Sequence, residues 1–211
     1  MPLLAEFLLA VLLLELTPGP NMAYLALLSL ERGPRPAIVA VLGVAAGLAV
    51  HALVAGFGAG ALIVRLPLLY EALRWAGVAY LLWLAYDGWR GEADGAAGAA
   101  PLGAQAALLL RRGFVTNLLN PKSILFFVSV LPRFVVEPEG ADDAAPTILV
   151  QMAMLGGLYL AVATAVHVAV VLLAGRLRPW LVAGARRDRM RRVLSLMLAG
   201  VALWLALSTG R

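Results

Sequence analysis

The sequence predicts an all-α integral membrane protein: six transmembrane helices built as two inverted three-helix repeats, with helices 1 and 4 broken at proline motifs. Three observations predict it. Of the 211 residues, 63% are hydrophobic and mean hydropathy is +0.91, while only 14% are charged, against about 25% in an ordinary soluble domain. A soluble fold needs a polar skin that this charge cannot supply, and disordered chains are poor in apolar residues. Next, six apolar stretches approach the ~20 residues that a helix needs to cross the hydrocarbon core. Lastly, proline, asparagine and threonine cluster inside the first span of each half.

The spans read in order as about Leu3 to Leu30, Ala37 to Val64, Leu66 to Trp89, Phe114 to Val136, Thr147 to Ala174 and Val193 to Ser208. The last is short and invites extension into the basic segment before it. The N-terminal stretch carries Glu6 and Glu15 and lacks a basic leader or small-residue cleavage pattern, so it reads as an uncleaved first helix and not a signal peptide. The chain forms a single transmembrane domain, 1–211. Residues 1–90 make the first half, 91–110 a Gly/Ala-rich cytoplasmic linker, and 111–211 the second half.

Net charge is +5, which in a soluble protein would raise nucleic-acid binding. Here twelve of the seventeen basic residues fall in three alternate loops: Arg32 and Arg35; Arg90, Arg111 and Arg112; and Arg176 through Arg192. The positive-inside rule places those loops in the cytoplasm and both termini outside it. The excess charge therefore orients the chain in the lipid bilayer, and no nucleic-acid partner is expected. Without cysteine there is no thiol chemistry, and neither a metal nor a cofactor is expected. The five tryptophans read as interfacial belts, with Trp83 and Trp204 the least comfortable fits.

The breaks carry the functional argument. Proline lacks an N–H and clashes with the carbonyl one turn back, so Pro18-Gly19-Pro20 cannot continue a helix. Thr17 lies ~21 Å along the helix from Leu3 at 1.5 Å per residue, inside the membrane. The freed backbone groups there cannot face lipid. Thr116-Asn117-Leu118-Leu119-Asn120-Pro121-Lys122 starts the fourth span the same way. Three spans per half is an odd number, so the two halves must have opposite orientation. Matching interruptions in two such halves point to a transporter's binding site.

Leu16-Thr17-Pro18-Gly19-Pro20-Asn21-Met22, with Arg32-Gly33, Gly43-Val44-Ala45-Ala46-Gly47 and Arg112-Gly113-Phe114-Val115-Thr116-Asn117-Leu118-Leu119-Asn120-Pro121-Lys122, resembles the lysine exporter (LysE) / RhtB-type amino-acid translocator family over essentially the whole chain. The resemblance implies a bacterial inner-membrane exporter of amino acids or close derivatives, coupled to the proton or membrane potential. The sequence has no Walker motif, which agrees with export that does not use ATP.

The expected substrate-binding residues are Glu15, Thr17, Pro18, Gly19, Pro20, Asn21, Asn117, Asn120, Pro121 and Lys122. Lys122 is the only lysine among sixteen arginines, and lysine offers a compact point charge suited to a carboxylate. Glu15, costly at that depth, suits an α-ammonium or a proton; the resemblance does not extend to it. Asn21, Asn117 and Asn120 donate and accept without charge, as a zwitterion requires. His51 and His167 are candidate proton relays, although each equally fits a buried, hydrogen-bonded histidine. Gly43 and Gly47 precede His51 at spacings of four, the pattern of close helix approach. The resulting expectation is a secondary-active exporter of a small zwitterion that works by alternating access. A channel, or an exporter of another small polar metabolite, fits the same spans. No hydrolase or zinc-protease motif marks an enzyme. The sequence leaves open the substrate's side chain and any homo-oligomer.

Overall fold

The computed structural model describes residues 2–57, 67–90, 102–136, 147–181 and 186–208. Among these, every regular element is helical. In order they are α1 (Pro2–Leu16), α2 (Pro20–Arg32), α3 (Pro34–Gly56), α4 (Pro67–Arg90), α5 (Leu102–Leu118), α6 (Pro121–Leu125), α7 (Ile148–Leu181) and α8 (Arg186–Ser208). After α6 the chain relaxes into a π-helical turn, Phe126–Val130, and a 3₁₀ turn, Leu131–Phe134.

Among the described residues, α3 and α7 are each long and apolar enough to cross a bilayer alone. Two further pairs pass when each is taken as one broken span: α1 with α2, bent by 53°, and α5 with α6 and its following turns, bent by 50°. Helices α4 and α8, with 24 and 23 residues, have the length of a span but interrupt the apolar run. α4 holds Glu71, Arg74, Asp87 and Arg90, and in α8 the apolar part is Arg192–Leu207. The count that composition supports is thus two spans, or four with the bent pairs.

Three boundaries differ from the sequence reading. α5 begins at Leu102, so residues 102–110 are helix and not linker, and the second break sits mid-span instead of at its start. Residues 91–101 lie outside the described residues, as do the acidic 137–146 and the tail of the second span, 58–66. α7 continues through Arg176 and Arg178 to Leu181, with Pro179 inside its last turn. The sixth helix starts at Arg186, in the basic segment.

Small residues set the packing. α3 and α5 pack backbone to backbone: a Cβ on Gly43 would collide with the Leu110 carbonyl oxygen, and one on Gly113 with that of Ala40. This close approach is what the Gly43–Gly47 spacing predicts. Gly33, at φ +90°, turns α2 into α3 with no intervening loop, a backbone region that favours glycine. α7 packs on both α2 and α3, and α4 packs on α8. Ser29 donates to the Val171 carbonyl at 2.6 Å, and the Arg178 guanidinium caps the end of α2 by donating to the Leu30 carbonyl at 3.1 Å. Arg112 pairs with Asp87 at 2.8 Å, and Arg192 lies over Trp89. The basic ends of α2, α4, α7 and α8 therefore meet at one end of the bundle. Toward the other end an aromatic cluster fills the core: Phe7 against Phe134, with Phe126 and Phe127 on Tyr159 at ring distances of 4.4 and 4.9 Å.

Candidate functional site

The two helix breaks lie against each other in the core. In the first, α1 ends at Leu16 with Thr17 folding back, its hydroxyl donating to the Leu13 carbonyl at 2.8 Å. Gly19 is extended and α2 restarts at Pro20 with no side-chain cap. The N–H groups of Gly19, Asn21 and Met22 all precede the first intrahelical bond, Ala23 N to Gly19 O. A helix start of this kind offers donors and a positive dipole end to an anion. In the second break Asn120 caps its own helix, its side-chain oxygen accepting from the Lys122 backbone N–H at 3.1 Å. That is the ordinary role of an N-cap asparagine.

Two side chains join the breaks. Lys122 Nζ donates to the Thr17 carbonyl at 3.0 Å, across 105 residues of sequence. Asn21 Nδ2 donates to Asn117 Oδ1 at 2.7 Å, and the Ser123 hydroxyl donates to the same oxygen at 3.1 Å. The Tyr159 hydroxyl donates to Glu15 Oε1 at 2.6 Å, and His167 Nε2 lies 3.5 Å from Glu15 Oε2. Two buried polar groups thus form: His167, Glu15 and Tyr159 in one, and Ser123, Asn117 and Asn21 in the other. Asn21 Oδ1, Asn117 Nδ2 and His167 Nδ1 are buried without a hydrogen-bond partner. Such groups are costly in low dielectric and mark a place where a ligand can complete the network.

Glu15, Gly19, Asn21, Met22, Asn120, Lys122 and His167 line a polar cavity of about 10 Å³, room for one water. Of the residues expected from the sequence, Glu15, Gly19, Asn21, Asn120, Lys122 and His167 meet at this cavity. Thr17 and Pro18 lie on its exposed side, Pro20 starts α2, Pro121 starts α6, and Asn117 anchors the network from behind. His51 goes elsewhere. Its ring packs 6.1 Å from that of Phe127, and its Nδ1 is buried without a hydrogen-bond partner.

Sequence reasoning missed Tyr159 and Ser123. A signal for Tyr159 existed: with Ala163, His167 and Val171 it forms a ridge at spacings of four on α7, and all four are buried. Such a ridge is the unit of helix packing, and two polar members in it mark a face turned inward.

The sequence profile of the LysE type translocator matches residues 12–209. The chain belongs to this family. A homoserine/homoserine lactone efflux protein of Salmonella typhimurium is 36% identical over 161 residues, 72% of this chain and 76% of the relative. A leucine efflux protein of Enterobacter sp. is 36% identical over 125 residues, 57% of each chain. A threonine efflux protein of Salmonella typhi is 33% identical over 130 residues, 60% of this chain and 63% of the relative. No solved structure matches the chain. As a LysE-type translocator the protein is a membrane transporter and not an enzyme, and its motif residues surround the polar cavity just described.

Proposed function

We propose that the protein is a secondary-active exporter of amino acids or close derivatives in the bacterial inner membrane, working by alternating access and driven by the proton motive force. The observation that carries this reading is the meeting of the two breaks at one buried polar cavity with a cation, Lys122, and a carboxylate, Glu15, on its walls. The substrate carboxylate goes to Lys122 and the uncapped start of α2. The ammonium goes to Glu15. The efflux of homoserine, leucine and threonine by relatives supports an amino-acid substrate.

Alternating access follows from size. A space for one water cannot hold an amino acid, so binding requires the two halves to part. An ion-paired layer, Arg112 with Asp87, seals the basic end, and the aromatic cluster seals the other. Exchange of the halves supports the inverted repeat: α3 packs on α7 and α4 on α8, second on second and third on third, with α4 and α8 completing six spans. Gathering the arginine-bearing ends at one face supports placing that face in the cytoplasm and both termini outside.

Coupling rests on competition at Glu15. The groups facing it are Tyr159 and His167 from α7 and Lys122 from α6. A carboxylate that holds either a proton or the substrate ammonium exchanges one for the other, and His167 supplies the proton's path. Proteoliposomes loaded with labelled leucine, threonine and homoserine test this. An outside-acid gradient is expected to speed release in the wild type, and His167→Gln to retain counterflow while losing the response to the gradient. Release indifferent to the gradient in the wild type would overturn the coupling. Failure to move any amino acid would overturn the export reading.

A further inference from the structure

Two cavities meet at the first break. Beside the polar one lies a groove of about 270 Å³ whose walls include Leu14, Leu125, Phe126, Val130, Trp204 and Leu205. The groove and the polar cavity share Gly19 and Lys122. We propose that this groove is the side-chain subsite, and that the exported molecule is an α-amino acid with a bulky apolar side chain. The proposal rests on the exporter reading above.

Geometry supplies the occupant. For a zwitterionic head bound between Lys122 and Glu15, the groove past Gly19 is an adjoining space for the side chain. Lys122 forms the partition. Its Nζ rests on the Thr17 carbonyl at 3.0 Å, and its Cδ lies 3.5 Å from where a Cβ of Gly19 would sit. When the ammonium turns from Thr17 toward a substrate carboxylate, the two cavities become one. Glycine keeps the neck open, because any side chain at residue 19 would stand in it.

Size and chemistry set the class. A cavity of about 150 Å³ accepts benzene, so this groove takes a branched aliphatic or aromatic side chain with room to spare. Among the described residues, Lys122 is the one charged residue that lines it. A lysine side chain would bring a second ammonium beside Lys122 with no counter-ion, and a glutamate would strand a carboxylate among Phe126, Val130 and Trp204. Both meet the desolvation penalty of an unpaired charge in an apolar site. Trp204 thus gains a role that an interfacial belt did not explain.

The test is counterflow of labelled leucine and labelled alanine by the purified full-length protein in proteoliposomes, with leucine, phenylalanine, lysine and glutamate as competitors. Leucine and phenylalanine are expected to compete at least tenfold better than lysine or glutamate. Val130→Phe, which fills the groove, is expected to lower the leucine-to-alanine rate ratio about tenfold, the scale on which one or two methylenes are discriminated in an apolar pocket. Trp204→Ala, which widens the groove, is expected to raise competition by phenylalanine relative to leucine. An unchanged ratio in both variants overturns the subsite. So does a changed lipid requirement or oligomeric mass at constant ratio, which would assign the groove to an acyl chain or a second copy. Transport of alanine but not leucine overturns the subsite and leaves the exporter reading standing, whereas transport of neither overturns both.

Discussion

The two breaks solve one problem in different ways. Both bend the chain by nearly the same angle, 53° and 50°, and both restart a helix at a proline. At the first, Lys122 reaches across to the kink and donates to the Thr17 carbonyl. The difference lies in the restarting helix. Asn120 caps α6 from within, and α5 is clamped to α3 through Gly43, Gly47 and Gly113. α2 begins at an uncapped glycine beside a cavity. One break is thus finished by its own sequence and supports, while the other is left for a ligand to finish.

Substitutions break or sharpen this contrast. The largest effect is expected at the clamp. Gly43→Ala drives a methyl into the backbone carbonyl of Leu110, which cannot swing aside, and is expected to cost about 3 kcal/mol or more, read as loss of folded protein in thermal unfolding in detergent. Gly19→Ala is the matched control at the other break. Its Cβ meets only Lys122 at ordinary contact distance, so the melting temperature is expected to hold while transport falls. A melting temperature lowered equally by both would erase the contrast.

Next in size, Lys122→Met removes both the carboxylate partner and the link to Thr17. Counterflow is expected to fall on the order of a hundredfold, as when one member of a buried charged contact is removed. Lys122→Arg is not expected to restore it, since a planar fork does not replace a point charge in so small a cavity. Transport retained by Lys122→Met would refute the role. A smaller effect is expected at the self-cap: Asn120→Ala should lose ~1 kcal/mol of stability, measured by the same unfolding assay. The smallest functional effect is expected from His51→Gln, since His51 packs against Phe127 and is not among the residues lining the polar cavity. It should leave the response to a pH gradient intact, in contrast to His167→Gln, and an equal loss in both would return His51 to the proton path.

Much of this was legible in the sequence because it is local. Proline chemistry marked both breaks, the four-residue spacing of Gly43 and Gly47 marked the α3–α5 contact, and the single lysine among arginines marked Lys122. Other features were not local. The start of α5 was misread because Leu102–Leu110 follows a Gly/Ala-rich stretch that resembles linker, and helix propensity there is decided by packing on α3. His51 and His167 looked equivalent in sequence, each within an apolar helix. Only the crossing of α7 over α1 brings His167 to Glu15, while α3 carries His51 to Phe127. Trp204 and Val130 could not be joined to any site, because the groove they share is formed by elements far apart in the sequence.

By itself the sequence determined the class of protein, the positions of its two broken helices and the side on which its arginines gather. Each of these follows from sums over neighbouring residues: transfer free energy, backbone sterics and charge. The tertiary structure alone decided which of the polar residues pair with one another. The Tyr159–Glu15 bond spans 144 residues and the Asn21–Asn117 bond 96. Such pairings depend on how helices cross, and no local pattern encodes a crossing between segments so far apart.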